Sequence, residues 1–153
     1  MINTFNLNNI AEVQLIYSTN VKPSDRPRIN SSRDTYEILR QGWDSNTIEL
    51  REEMKVVLLN TWHKVLGVYK VSQGGVAGTF ADPKLIFAAA LKANATAIIL
   101  CHNHPSGNTA PSKSDIDLTK KCKQAGELLD IKVLDHMIIT SEGYSSFADE
   151  GMM

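Results

Sequence analysis

The feature that most constrains this chain is an apolar run, Ala97-Ile98-Ile99-Leu100, that passes directly into Cys101-His102-Asn103-His104-Pro105-Ser106-Gly107. Consecutive apolar residues without alternation read as a strand buried on both faces. Pro105 lacks an N–H and disfavours helix at the residue before it, so the strand must end near His104. In an extended chain, residues two apart project to the same side, which puts His102 and His104 together at the end of a core strand. Downstream, Ser112 opens a helical pattern whose expected contact side is Ile116, Leu118, Thr119, Cys122, Ala125, Leu128 and Leu129. Ser112-x-x-Asp115 is a capping-box variant with its acid in the first turn. A carboxylate fixed there is also a rigid ligand. Two imidazoles and one carboxylate make three ligands, the number a catalytic zinc uses when it keeps a fourth position for water. The cap and the ligand are compatible readings of the same residues.

Size and charge narrow the classes. The 153 residues suit one domain with a core of useful size. Sixteen basic and 17 acidic residues give a net charge of −1, which does not support duplex binding through phosphate neutralisation. A nucleic-acid partner would have to use a local cluster such as Lys120, Lys121, Lys123 and Lys132, for which a solvated helix surface is the simpler reading. Cys101 and Cys122 belong to no C-x-x-C pair, and no secretory signal is evident, so both are expected reduced and buried in a cytoplasmic protein. Alternation turns Cys101 away from the histidines. No apolar run approaches the ~20 residues of a membrane helix.

Taken in order, residues 1–10 are polar and aperiodic, Glu12–Tyr17 alternates like a strand, and 20–30, with Pro23 and Pro27, reads as a loop. Residues 1–29 are therefore expected to be an N-terminal strand and loop arm, and 30–153 the main domain. Ser31 to about Trp43 is expected to be a helix, and Ile48–Asn60 a central strand. A turn at 60–64, with His63 facing solvent, leads to a second strand over Val65–Val71. Gly74, Gly75 and Gly78 mark a passage where backbone can approach closely. Asp82-Pro83 starts another helix, with its stripe at Leu85, Ile86, Ala89, Ala90 and Ala93 and its end near Asn94. Ile131–Thr140 reads as a strand and Tyr144–Phe147 as a short closing segment. This order implies an α/β fold, a single-domain α-β-α sandwich with a mixed β-sheet.

The combination His-x-His-Pro, six residues, Ser, two residues, Asp is far more specific than its parts. It is similar to the JAMM signature of MPN-type metalloproteases, and His102-Asn103-His104-Pro105-Ser106-Gly107 resembles the bacterial RadC-like branch of that JAB/MPN family, long labelled DNA repair proteins. Val57-Leu58-Leu59-Asn60, Ser72-Gln73-Gly74-Gly75, Leu134-Asp135-His136 and Phe147-Ala148-Asp149-Glu150-Gly151 extend the likeness to the C-terminus. It implies an MPN/JAMM (cytidine-deaminase-like) fold and Zn²⁺ held by His102, His104 and Asp115 with water as fourth ligand. A serine that steadies the tetrahedral intermediate maps to Ser112. The general-base glutamate falls at Glu52 or Glu53; counting back from Leu58-Leu59-Asn60 favours Glu52, and a one-residue slip would turn it to the other face.

The function so implied is a zinc-dependent metallohydrolase cleaving a peptide or isopeptide bond. Two other readings stand beside it: a DNA-repair or DNA-processing accessory protein of the RadC type, and a scaffold that keeps the metal without turnover. The spread-out residues of HNH nucleases do not match three contiguous ones. Asn103, between the ligands, should face away and brace the loop, and His136 is expected to be structural or to support a ligand.

Overall fold

The structure is a computed structural model and describes residues 10–14, 16–75 and 80–153. Two strands with no polar alternation form its centre. β1 (Glu53–Leu59) and β3 (Ala97–Asn103) are buried at every position, as strands covered on both faces must be. They pair antiparallel, with Met54 opposite His102. β2 (Val65–Gln73) returns from β1 antiparallel as an edge strand. The turn between them is held by the Asn60 side chain, which accepts the N–H groups of Trp62 and Lys64, with exposed His63 in the left-handed region at φ 55°. β4 (Lys132–Ile139) lies parallel to β3, and β5 (Tyr144–Ser146) closes the far edge antiparallel. The sheet is mixed, in the order β2-β1-β3-β4-β5.

Capping residues start the helices where the sequence places them. Ser31 caps α1 (Ser32–Gly42) through a reciprocal box with Asp34. Asp82 accepts from the Lys84 N–H at the start of α2 (Pro83–Lys92), and Ser112 caps α3 (Lys113–Leu129). Helix α1 packs with Val57, Leu59, Ile99, Cys101 and Met137 on one face of the sheet. Helices α2 and α3 pack with Met54, Val56, Ile98 and Leu100 on the other. The result is the α-β-α sandwich expected, with five strands and three α-helices among the described residues. At the return from α3 to β4, a Cβ on Gly126 would sit 2.2 Å from the Ile131 carbonyl oxygen, so only glycine permits this approach.

Three expectations need correction. The described residues of Glu12–Tyr17 form no strand: their backbone pairs with no sheet edge, Tyr17 reaching β2 only through its hydroxyl, which donates to the Leu66 carbonyl, and Val13 is 83% exposed. Alternation cannot make a strand where no partner receives its apolar face. The central strand begins at Glu53 rather than Ile48, because Asp44 draws the preceding segment into a turn, its carbonyl accepting the N–H groups of Thr47 and Ile48. Leu128 and Leu129 are exposed, not contacts. The buried line of α3 runs through Asp115, Thr119, Cys122 and Gly126, and at ~100° per residue Leu128 falls on the opposite side. Residues 1–9 and Gly78 lie outside the described residues.

Candidate metal centre

Strand alternation sorts the polar residues at the end of β3. Ile98, Leu100 and His102 face α2 and α3, while Ile99, Cys101 and Asn103 face α1. His104, just past the strand, returns to the side of His102. The first turn of α3 brings Asp115 to both rings: its Oδ1 is 3.3 Å from His102 Nε2 and its Oδ2 3.6 Å from His104 Nε2. The Asp115 carboxylate also accepts the Ser112 N–H at 2.7 Å, and Ser112 Oγ accepts the Asp115 N–H at 3.1 Å. One residue pair therefore caps the helix and fixes the carboxylate against the imidazoles.

Glu52 enters from β1's approach. Its N–H donates to the Gly75 carbonyl at 3.1 Å and its carbonyl accepts the Gly74 N–H at 2.8 Å, so the glycine passage pins its backbone. A carboxylate oxygen of Glu52 and one nitrogen each from His102 and His104 lie within 4.8 Å of one another, a group that can hold a metal ion. Glu53 points the other way. Its buried side chain meets Arg51 at 3.5 Å and Lys70 at 3.4 Å.

The donor set suits a cation. His104 Nδ1 sits 2.6 Å from the Asn108 carbonyl oxygen, which can only accept, so a neutral His104 keeps its proton there and bares a lone pair at Nε2. His102 Nδ1 is likewise engaged away from the cluster, 2.8 Å from His136 Nε2. The two Nε2 atoms face each other at 2.9 Å. A proton or a metal ion set between the two Nε2 atoms and the carboxylate satisfies all three. Nitrogens at ~2.0–2.1 Å from a tetrahedral zinc would stand roughly 3.3 Å apart, close to what is found.

The electrostatics agree. Burial alone would push the Asp115 carboxyl up, but when the His102 and His104 rings carry protons toward it their hydrogen bonds outweigh burial and hold the group far below the usual carboxylate range. The bond to Asp115 raises His104 above its ordinary value, against burial. Burial raises Glu52, opposed by the two histidines and reinforced by Asp115. Such a carboxyl is a better proton acceptor than an exposed one.

The remaining expected residues fall as follows. Asn103 faces away from the histidines: its Oδ1 accepts the Glu53 N–H at 2.7 Å, and its Nδ2 donates to the carbonyls of Ile48 and Arg51 at 2.7 and 2.9 Å. Cys101 is fully buried on the α1 side with its thiol pushed up by burial, and burial likewise pushes Cys122 up to about 11. A cleft of about 610 Å³ opens beside the cluster, lined by Glu52, Met54, Phe80, His102, Asp115 and Leu118 among others. Lys121 and Ser114 line it, whereas Ser112 does not. Sequence reasoning left two participants unassigned, Thr119 and Phe147. Thr119 Oγ1 is 2.6 Å from His136 Nδ1, and Phe147 stacks on the His136 ring with centroids 4.8 Å apart. A threonine at helical spacing and a phenylalanine near the end carry no local signal of this.

Known proteins are similar to this chain over most of its length. The RadC-like JAB domain family matches residues 29–152. A UPF0758 protein of Flavobacterium johnsoniae is 46% identical over 125 residues, 82% of this chain and 53% of that protein. UPF0758 proteins of Porphyromonas gingivalis and Desulfitobacterium hafniense are 42% and 38% identical over 89% of this chain, covering 60% and 59% of their own lengths. The chain thus spans little more than half the length of these curated relatives. With its five-stranded mixed sheet, its paired histidines and a family match over most of its length, the chain belongs to the RadC-like JAB domain family.

Proposed function

We propose that this domain is a zinc-dependent hydrolase of a peptide or isopeptide bond, with His102, His104 and Asp115 as metal ligands. The observation that carries this is the convergence of two Nε2 atoms, each with its Nδ1 engaged elsewhere, on a helix-held carboxylate, with the raised carboxyl of Glu52 beside them. Zinc at such a site supplies Lewis acidity and lowers the pKa of bound water to ~7. Glu52 takes the proton from the attacking water and returns it to the leaving nitrogen. Ser112 keeps its hydroxyl proton free while its oxygen accepts from Asp115, so it can donate to the developing oxyanion. Met54, Phe80 and Leu118 give the cleft an apolar wall for side chains flanking the scissile bond, with Lys121 at its edge.

Metal analysis of the purified protein, with His104→Ala as control, tests the ligand set. Turnover of a peptide and isopeptide library, with and without chelator, tests the chemistry. Zinc near one equivalent, lost in the variant, with chelator-sensitive cleavage is the expected result. Zinc content equal in both proteins would overturn the site, and intact substrates with zinc bound would leave a scaffold. Among the described residues no helix is long and apolar enough to cross a membrane.

A further inference from the structure

Behind the histidine pair runs a chain of side-chain contacts that the proposed reaction does not use. Thr119 Oγ1 lies 2.7 Å from the Asp115 carbonyl oxygen, one helical turn back. A carbonyl can only accept, and two oxygens this close need a proton between them, so the threonine hydroxyl donates there. Having one proton, Thr119 can then only accept from His136 Nδ1 at 2.6 Å. That fixes the His136 proton on Nδ1 and leaves Nε2 as an acceptor toward His102 Nδ1 at 2.8 Å. A doubly protonated His136 would break this order. Its ring is fully buried, Phe147 covers one face, and its neighbour Asp135 is occupied by Ser146, Ala148 and the His136 N–H. Among the described residues no carboxylate contacts the ring to balance a charge there.

We infer that His136 is a positioning residue which, anchored through Thr119 to the Asp115 carbonyl, holds His102 with its proton on Nδ1 and its Nε2 lone pair turned toward Asp115 and His104. The same helix that carries the carboxylate at Asp115 thereby dictates, four residues later, which nitrogen of His102 is free. His104 takes its order from a different source, the Asn108 carbonyl. One histidine is set by the core and the other by the loop. The consequence for metal affinity rests on the metal site proposed above; the tautomer itself does not.

The test uses the full chain in two states. In the zinc-free protein at alkaline pH, ¹⁵N shifts of the His102 ring report which nitrogen is protonated. Competitive zinc titration of the same proteins reports affinity. The variants are Thr119→Val, which keeps shape and removes the anchor, His136→Leu, which removes the acceptor, and His136→Gln, whose amide oxygen can accept the same proton. Wild type is expected as the Nδ1–H form, with a mixture in Thr119→Val and zinc affinity about 10–100-fold weaker in Thr119→Val and His136→Leu. His136→Gln is expected to recover most of that loss, which a merely space-filling role would not predict. An Nε2–H tautomer in wild type, or an unchanged tautomer and unchanged affinity in folded Thr119→Val, would overturn the inference. Wild type that binds no zinc but shows the Nδ1–H form, lost in Thr119→Val, would sink the metal site and leave this relay standing.

Discussion

The two faces of the sheet at the ends of β1 and β3 carry similar polar residues to opposite ends. On one side, Glu52, His102 and Asp115 meet; on the other, Glu53 and Asn103, whose neighbours in sequence are the very same residues. Both faces bury polar groups, so burial does not separate them. Their hydrogen-bond accounts do. Asn103 matches each donor and acceptor to a backbone partner, and Glu53 has Arg51 and Lys70 beside it. The histidine face turns lone pairs and carboxylates toward one another. A satisfied polar cluster braces a fold, whereas a cluster of mutually facing acceptors calls for a cation.

That contrast can be broken most sharply at the adjacent glutamates. Glu52→Gln is expected to keep zinc and lose cleavage by about 10²–10⁴-fold, measured as kcat/KM on whichever library substrate is turned over. Glu53→Gln should leave kcat/KM within about twofold and register instead as lowered stability; the reverse result would exchange the roles of the two faces. Next in size, Asn103→Ala removes three hydrogen bonds, two of them fully buried, and should cost about 3 kcal/mol in urea unfolding of the zinc-free protein. A loss near zero would mean that the segment before β1 is held by other contacts.

The smallest expected effect is one of slope. His104 has its folded-state pKa raised above the ordinary 6.5, first by its bond to Asp115. Its contribution to stability is therefore fully present below pH 6.5 and is lost as pH rises through the raised value. Zinc-free protein should show a falling Tm over that window, and His104→Ala should flatten it. Asn103→Ala should lower the curve without changing its slope, because the amide itself carries no titrating proton and its partners are backbone groups. With zinc present the trend should reverse, since deprotonated ligands bind the metal more tightly. A parallel slope in His104→Ala would assign the titration elsewhere.

How much of this was legible in the chain varies with the range of the interaction. The caps at Ser31, Asp82 and Ser112 are local signals, and each helix starts where its cap stands. The apolar runs at 56–59 and 97–101 announced strands covered on both sides. Alternation along β3 separated His102 from Cys101 and Asn103 with no knowledge of the fold. The strand expected at Glu12–Tyr17 failed for the complementary reason: its pattern is sound, but a strand exists only where an edge accepts it, and that depends on residues far away. The exposed Leu128 and Leu129 show the same limit, since their apolarity is local and their burial is not.

By itself the sequence determined the layered α/β architecture, the His-x-His end of a core strand and the aspartate in a helix's first turn, because each follows from periodicity and capping within a few residues. Only the tertiary structure decided that Glu52 and not Glu53 turns toward the imidazoles, that His136 backs His102, and that Thr119 orients His136. Those choices depend on register between strands and on helix placement across the sheet. Register is set by the packing of whole faces, and a single residue of slip would reverse every one of them.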